Sequence, residues 1–150
     1  MTAFPLLPRG IRNNNPGNIR HSSARWRGVA GTQADPQFVV FTEAVFGLRA
    51  LMCLLLNYHR KFGLDSVESI LNRFAPPHEN ATDHYIAAVT KDLKITRRQR
   101  LDLESEETLV ALARAMVRHE NGKPPDGVSG WYPDETYIKA ARLAFGKEAQ

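Results

Sequence analysis

The chain has 150 residues, 43% of them hydrophobic and 24% charged, which excludes a disordered or fibrous protein and describes one folded domain with enough chain for a real core. Its formal net charge of +4 fits an acidic partner such as nucleic acid, an anionic membrane surface or a bacterial wall. The basic residues are scattered apart from Arg97-Arg98-Gln99-Arg100, without the dense basic face of a nucleic-acid module, so nucleic acid is not an expected partner.

Met1 to Pro8 lacks a charged segment followed by a long apolar run, so no signal peptide is read there, and residues 1–10 are taken as an N-terminal extension. From Arg9 to Asp35 the composition of Gly, Asn, Pro, Ser and Arg predicts irregular structure, with turns at Asn15-Pro16-Gly17 and over Gly28 to Gly31. Gln37 to Phe41 is a short β-type run, one arm of a small hairpin. Thr42 then caps a helix over about 43–62, on which Phe46, Ala50, Cys53, Leu54 and Asn57 follow helical spacing. The longest apolar stretch, Leu48 to Leu56, is broken by Arg49 and is too short to span a bilayer.

Asp65 and Ser66 can cap a shorter helix, Val67 to Phe74, that Pro76-Pro77 ends. Asn80 or Thr82 opens another, to about Leu93, with Tyr85, Ile86, Val89 and Leu93 facing inward. Thr96 opens a short helix over Arg97 to Leu101, and Glu104 to Glu107 place negative charge at the start of a helix over Leu109 to Glu120. A loop carrying Pro124-Pro125-Asp126-Gly127 and Trp131-Tyr132-Pro133 precedes a last helix from about Asp134 to Phe145. The expected fold is mainly α with a small β hairpin, in one domain.

Cys53 lies among Leu51, Met52, Leu54 and Leu55 and reads as a buried small hydrophobe, and with a single cysteine no disulfide can form within the chain. The five histidines show no metal-ligand spacing, so neither a metal nor a cofactor is expected.

The apolar stripe Leu109, Leu112, Ala113, Met116, Val117 continues to Glu120, which puts a carboxylate on a face turned to the core or to a cleft wall. Desolvation and the negative helix end both favour its protonated form, the requirement for a proton donor in glycosidic cleavage. A frayed helix end, with Asn121-Gly122 as a left-handed cap and Glu120 in solvent, is the plain alternative. Arg12-Asn13-Asn14-Asn15-Pro16-Gly17-Asn18-Ile19-Arg20 cannot sit in a helix interior, and its amides suit both a rigid turn and a sugar-facing wall. Asn14, Asn15, Asn18 and Tyr85 are candidate cleft residues, and Trp131 could stack a sugar ring or plug the core. Glu43 and Glu79 are candidates for a second carboxylate, although each also has an explanation as a helix-start or loop residue; Asp126 and Asp134 stand near the Trp131-Tyr132 loop.

Arg12 to Arg20, Trp26-Arg27-Gly28, Phe38 to Phe41, Gly47-Leu48-Arg49-Ala50, Ala75 to Thr82 with Tyr85, and Arg118-His119-Glu120-Asn121-Gly122 together resemble a family of phage and prophage proteins described as virion-associated or lysozyme-like. More loosely, a helix ending in Glu and an Asn-Pro-Gly loop are similar to goose-type lysozymes and lytic transglycosylases, with the two pieces in the reverse order, as in a circular permutation. The resemblance implies a lysozyme-like domain that cleaves peptidoglycan glycan strands, as an endolysin or other wall-degrading, antibacterial enzyme, with Glu120 as acid. With no evident second carboxylate it implies the single-glutamate chemistry of lytic transglycosylases, in which the muramic 6-hydroxyl closes an anhydro ring. A protein made in the bacterial cytoplasm would then reach the wall through a holin, a virion or a secretion apparatus. A virion or secretion-system component that binds the wall without cutting it is the alternative reading.

Overall fold

The computed structural model describes residues 6–125 and 130–147. It is mainly helical: α1 (Arg9–Arg12), α2 (Ala44–Phe62), α3 (Val67–Phe74), α4 (Thr82–Leu93), α5 (Glu106–Asn121) and α6 (Asp134–Ala144). α2 packs on α5 and α6, and α4 joins α3 to α5, so that α2 and α5 form the centre. Leu48, Leu51, Met52 and Leu55 of α2, Leu109, Leu112 and Met116 of α5, and Tyr137 and Ala140 of α6 are fully buried in one core. No helix among the described residues is long and apolar enough to cross a membrane.

The face that α2 buries is the stripe Leu48, Leu51, Met52, Leu55, Leu56, one step round from the expected set. Of that set Ala50 is in the core, Phe46, Cys53 and Leu54 are half-buried, and Asn57 is exposed. The helix starts at Ala44 with Glu43 in the cap position and no side-chain cap bond. Thr42 does not cap it, because its hydroxyl donates to the Gly28 carbonyl, 3.2 Å away, and so ties the helix entrance to the loop.

Three other expectations change. Arg9–Arg12 forms a single helical turn inside the stretch read as irregular. Gln37 to Phe41 makes only two isolated antiparallel bridges, Arg20 with Phe38 and Val29 with Phe41, instead of a hairpin arm. Thr96 to Leu101 is a turn and not a helix, because its backbone bonds elsewhere: the Arg97 carbonyl accepts the Glu68 N–H at 3.0 Å, satisfying a first-turn donor of α3, and the Leu101 N–H reaches the Asp65 carbonyl at 2.7 Å. Ser66 does cap α3, through a reciprocal pair with Ser69.

Candidate functional site

Each asparagine of the run 13–15 is spent on the fold. Asn13 donates to Asp35 at 2.9 Å, Asn14 to the Phe41 carbonyl at 3.1 Å, and Asn15 to the Ile19 and Val39 carbonyls, both at 2.9 Å. The Asn15 carbonyl oxygen also accepts the Ile19 N–H at 3.0 Å, and its side chain is fully buried. Asn14 (φ 52°) and Asn18 (φ 50°) hold left-handed backbone, a conformation that asparagine tolerates better than most residues. Asn14 and Asn15 therefore hold the loop together and do not line a cleft, contrary to the sequence reading. Asp35 locks the same loop: Arg9 grips both its oxygens at 2.6 Å, and these contacts hold its carboxyl well below the usual carboxylate range.

Asn18 faces the other way. Its amide nitrogen donates to Glu120 Oε1 at 2.9 Å across 102 residues of sequence, which joins the loop to the last turn of α5. Next along that helix, Asn121 is buried and donates to the Pro16 carbonyl at 2.8 Å. This second bond fixes the helix end against the loop and leaves Glu120 between them, half-buried. Burial raises its pKa above the usual glutamate value, while contacts with Asn18 and Tyr85 act in the opposite sense and lower it. Glu120 is thus not a frayed end in solvent, and its carboxyl is held by Asn18.

Glu120 lines a cleft of about 490 Å³. Its walls come from the loop (Asn18, Arg20, Trp26, Phe38), from α2 (Leu54, Asn57, Tyr58), and from the end of α3 and the loop beyond it (Phe74, Pro76, Glu79, Asn80). The lining holds both aromatic rings and side-chain amides, and Arg20 rests its guanidinium over the Phe38 ring at 5.2 Å. Glu79 lies at the exposed mouth, its side chain 61% accessible, 3.5 Å from His78 Nε2.

The remaining candidates lie elsewhere. Glu43 borders a separate depression between the start of α2 and α6, with Tyr132 and Lys139. Trp131 is not among the cleft residues; its indole N–H donates to the Gly122 carbonyl at 2.9 Å and closes the C-terminal end of α5. Asp134 pairs with Arg114 at 2.7 Å at the start of α6. Asp126 lies outside the described residues. Tyr85 is only 3% exposed and stands behind Glu120 instead of on the cleft surface.

Four aromatic residues of the cleft, Trp26, Phe38, Tyr58 and Phe74, were not among the site residues expected from sequence. Gly28, at φ 79°, lets its loop close on Phe46, since a β-carbon there would come within 2.2 Å of that ring. For Trp26 the signal available in the sequence was a glycine two residues later.

Among curated proteins, the chain is similar to Protein P5 of Pseudoalteromonas phage PM2, with 42% identity over 120 residues that cover 78% of this chain and 73% of that protein. No protein-family model matches.

Proposed function

We propose, for a chain that belongs to the family of Protein P5 of Pseudoalteromonas phage PM2, that the cleft binds the glycan strand of peptidoglycan and that Glu120 cleaves it as general acid. The observation that carries this reading is a half-buried carboxyl, held by Asn18 and biased toward protonation, at the wall of an open cleft lined by aromatic rings and amides. Such a lining suits sugars, whose flat C–H faces pack on rings and whose hydroxyl and N-acetyl groups take amide hydrogen bonds.

In this reading protonated Glu120 gives its proton to the glycosidic oxygen as the bond to C1 breaks, and the sugar leaves as an oxocarbenium-like species. Two routes then close the reaction. Glu120, now a carboxylate, takes the proton of the muramic 6-hydroxyl as that oxygen bonds C1, leaving an anhydro end. Alternatively Glu79, across the cleft mouth, takes a proton from water that attacks C1, leaving a reducing end. A lysozyme-like fold with its elements in permuted order agrees with a Glu-ended helix that follows the asparagine loop in sequence. The kinship with a phage protein supports delivery to the wall in a virion or by a phage lysis system.

A second reading, a virion or secretion-system component that holds the wall without cutting it, draws on the same Asn18 to Glu120 bond, since that contact also ties the loop to α5. Clearing of a suspension of Gram-negative sacculi separates the two. The parent protein is expected to clear it and Glu120→Gln to leave it turbid, with Glu79→Gln active on the anhydro route and inactive on the hydrolytic one. Sacculi that bind the parent protein and never clear would instead establish the second reading.

A further inference from the structure

Tyr85 is the strongest feature the catalytic proposal leaves unused. It rises from the first turns of α4, and its ring is clamped between two others: His119 stacks on it with centroids 3.9 Å apart at 25°, and Phe74 meets it edge-on at 6.4 Å and 88°. A phenol held this tightly cannot turn away to find water. Its hydroxyl is buried, without a hydrogen bond of good geometry yet near enough to the Glu120 carboxyl to favour its charged form. Its stacking partner His119 directly precedes Glu120 on α5, which brings the phenol near the Glu120 carboxyl from the side of α4, while Asn18 donates to that carboxyl from the loop.

A buried hydroxyl is costly to leave poorly bonded, so its presence calls for an explanation beyond packing, which a phenylalanine would serve as well. We propose that Tyr85 is a positioning residue for Glu120: its O–H is the donor that closes on the carboxylate once the proton has left, steadying the charged form made during bond cleavage and aiming the remaining lone pair at the proton it must recover. The inference rests on the reading of Glu120 as the acid. It also replaces the expectation that Tyr85 touches substrate, since the tyrosine stands behind the carboxyl and not in the cleft.

The charged and titratable groups around the pair are few. Glu120 shares the cleft with Arg20 and Glu79. Tyr85 has His119 on its ring, and His119 in turn is held below the usual histidine range by burial and by nearby His84. The tyrosine hydroxyl itself stays protonated, because burial and the neighbouring carboxylate push its pKa well up.

The test is a carbon-detected NMR titration of the Glu120 side chain in the parent protein and in Tyr85→Phe, which keeps the ring and its stacking. Loss of the donor is expected to move the Glu120 midpoint upward by roughly one pH unit, because the charged form loses a partner. Tyr85→Phe is also expected to lower kcat about tenfold on sacculi with KM unchanged, the pattern of an interaction made only in the transition state. This titration needs no turnover, so it stands apart from the proposal of wall cleavage. An unshifted midpoint would overturn the role of Tyr85 even in an active enzyme. A shifted midpoint in a protein that never clears sacculi would leave the contact intact and remove the catalytic reading.

Discussion

At Glu120 the protonated and ionised carboxyl differ in what the fold offers them. Burial against α5 and the loop penalises the charge, and the contacts with Asn18 and Tyr85 return only part of that penalty, so the folded pKa lies above the unfolded one. A group raised in this way contributes stability that is fully present below its unfolded pKa and is lost as pH rises through the folded value. Glu120→Gln removes the penalty. The variant is therefore expected to melt at a higher temperature than the parent at pH 7, with the difference shrinking as the pH falls below the ordinary glutamate range near 4.5. Paired thermal melts at the two pH values check this, and a destabilised variant at neutral pH would mean that the ionised carboxylate holds the fold. The same residue was legible in the sequence because a helix stripe ending in a carboxylate carries its own warning. Asn14 and Asn15 were misread for a physical reason: an asparagine amide serves a sugar and a backbone carbonyl equally well, and only the position of Ile19, Val39 and Phe41 decides which it meets.

Beside the approach of Gly28 to Phe46, the elements meet at Gly47 and Gly10 with no room for a side chain. Gly47, inside α2, lies against the loop so tightly that a β-carbon would stand 1.9 Å from the Asn14 carbonyl oxygen. That oxygen belongs to backbone and cannot swing aside. Gly10 is similar, because a β-carbon there would fall 2.5 Å from Asn121 Oδ1 and 2.8 Å from Asn18 Oδ1, the two side chains that frame Glu120. Gly47→Ala is expected to cost roughly 3 kcal/mol or more, as overpacking of a rigid contact does, and to appear in denaturant melts as a lowered midpoint. A midpoint unchanged from the parent would show that the loop can move off α2. Helix periodicity found α2, α3, α4 and α6 within a residue or two and α5 with its start three residues late, at Leu109 where the helix begins at Glu106, since each of these helices buries a stripe. The failures lie where local pattern and long-range bonding conflict. Residues 97–101 look helical yet serve as hydrogen-bond partners for the start of α3, and residues 37–41 look like a strand yet find only single bridges to Arg20 and Val29.

For the molecule as a whole, the loop of residues 13–41 works as a wall built onto a helical frame. α2 and α5 are fixed by a fully buried core, the Asp35 and Asn15 contacts stiffen the loop, and Asn18 and Asn121 bring its inner edge to the end of α5. The cleft that results draws residues from four separate stretches of chain, which is why Trp26, Asn57 and Asn80 could not be placed together from spacing alone. The net charge of +4 would favour approach to an anionic wall. Kinship with a phage protein sets the biological context and leaves the chemistry to the cleft. The most direct measurement is mass spectrometry of the soluble fragments released from sacculi by the parent protein and by Glu120→Gln in parallel. Disaccharide-peptide fragments with anhydro or reducing ends are expected from the parent and none from the variant. Equal fragments from both proteins, or peptides released without cut glycan, would contradict glycan cleavage by Glu120.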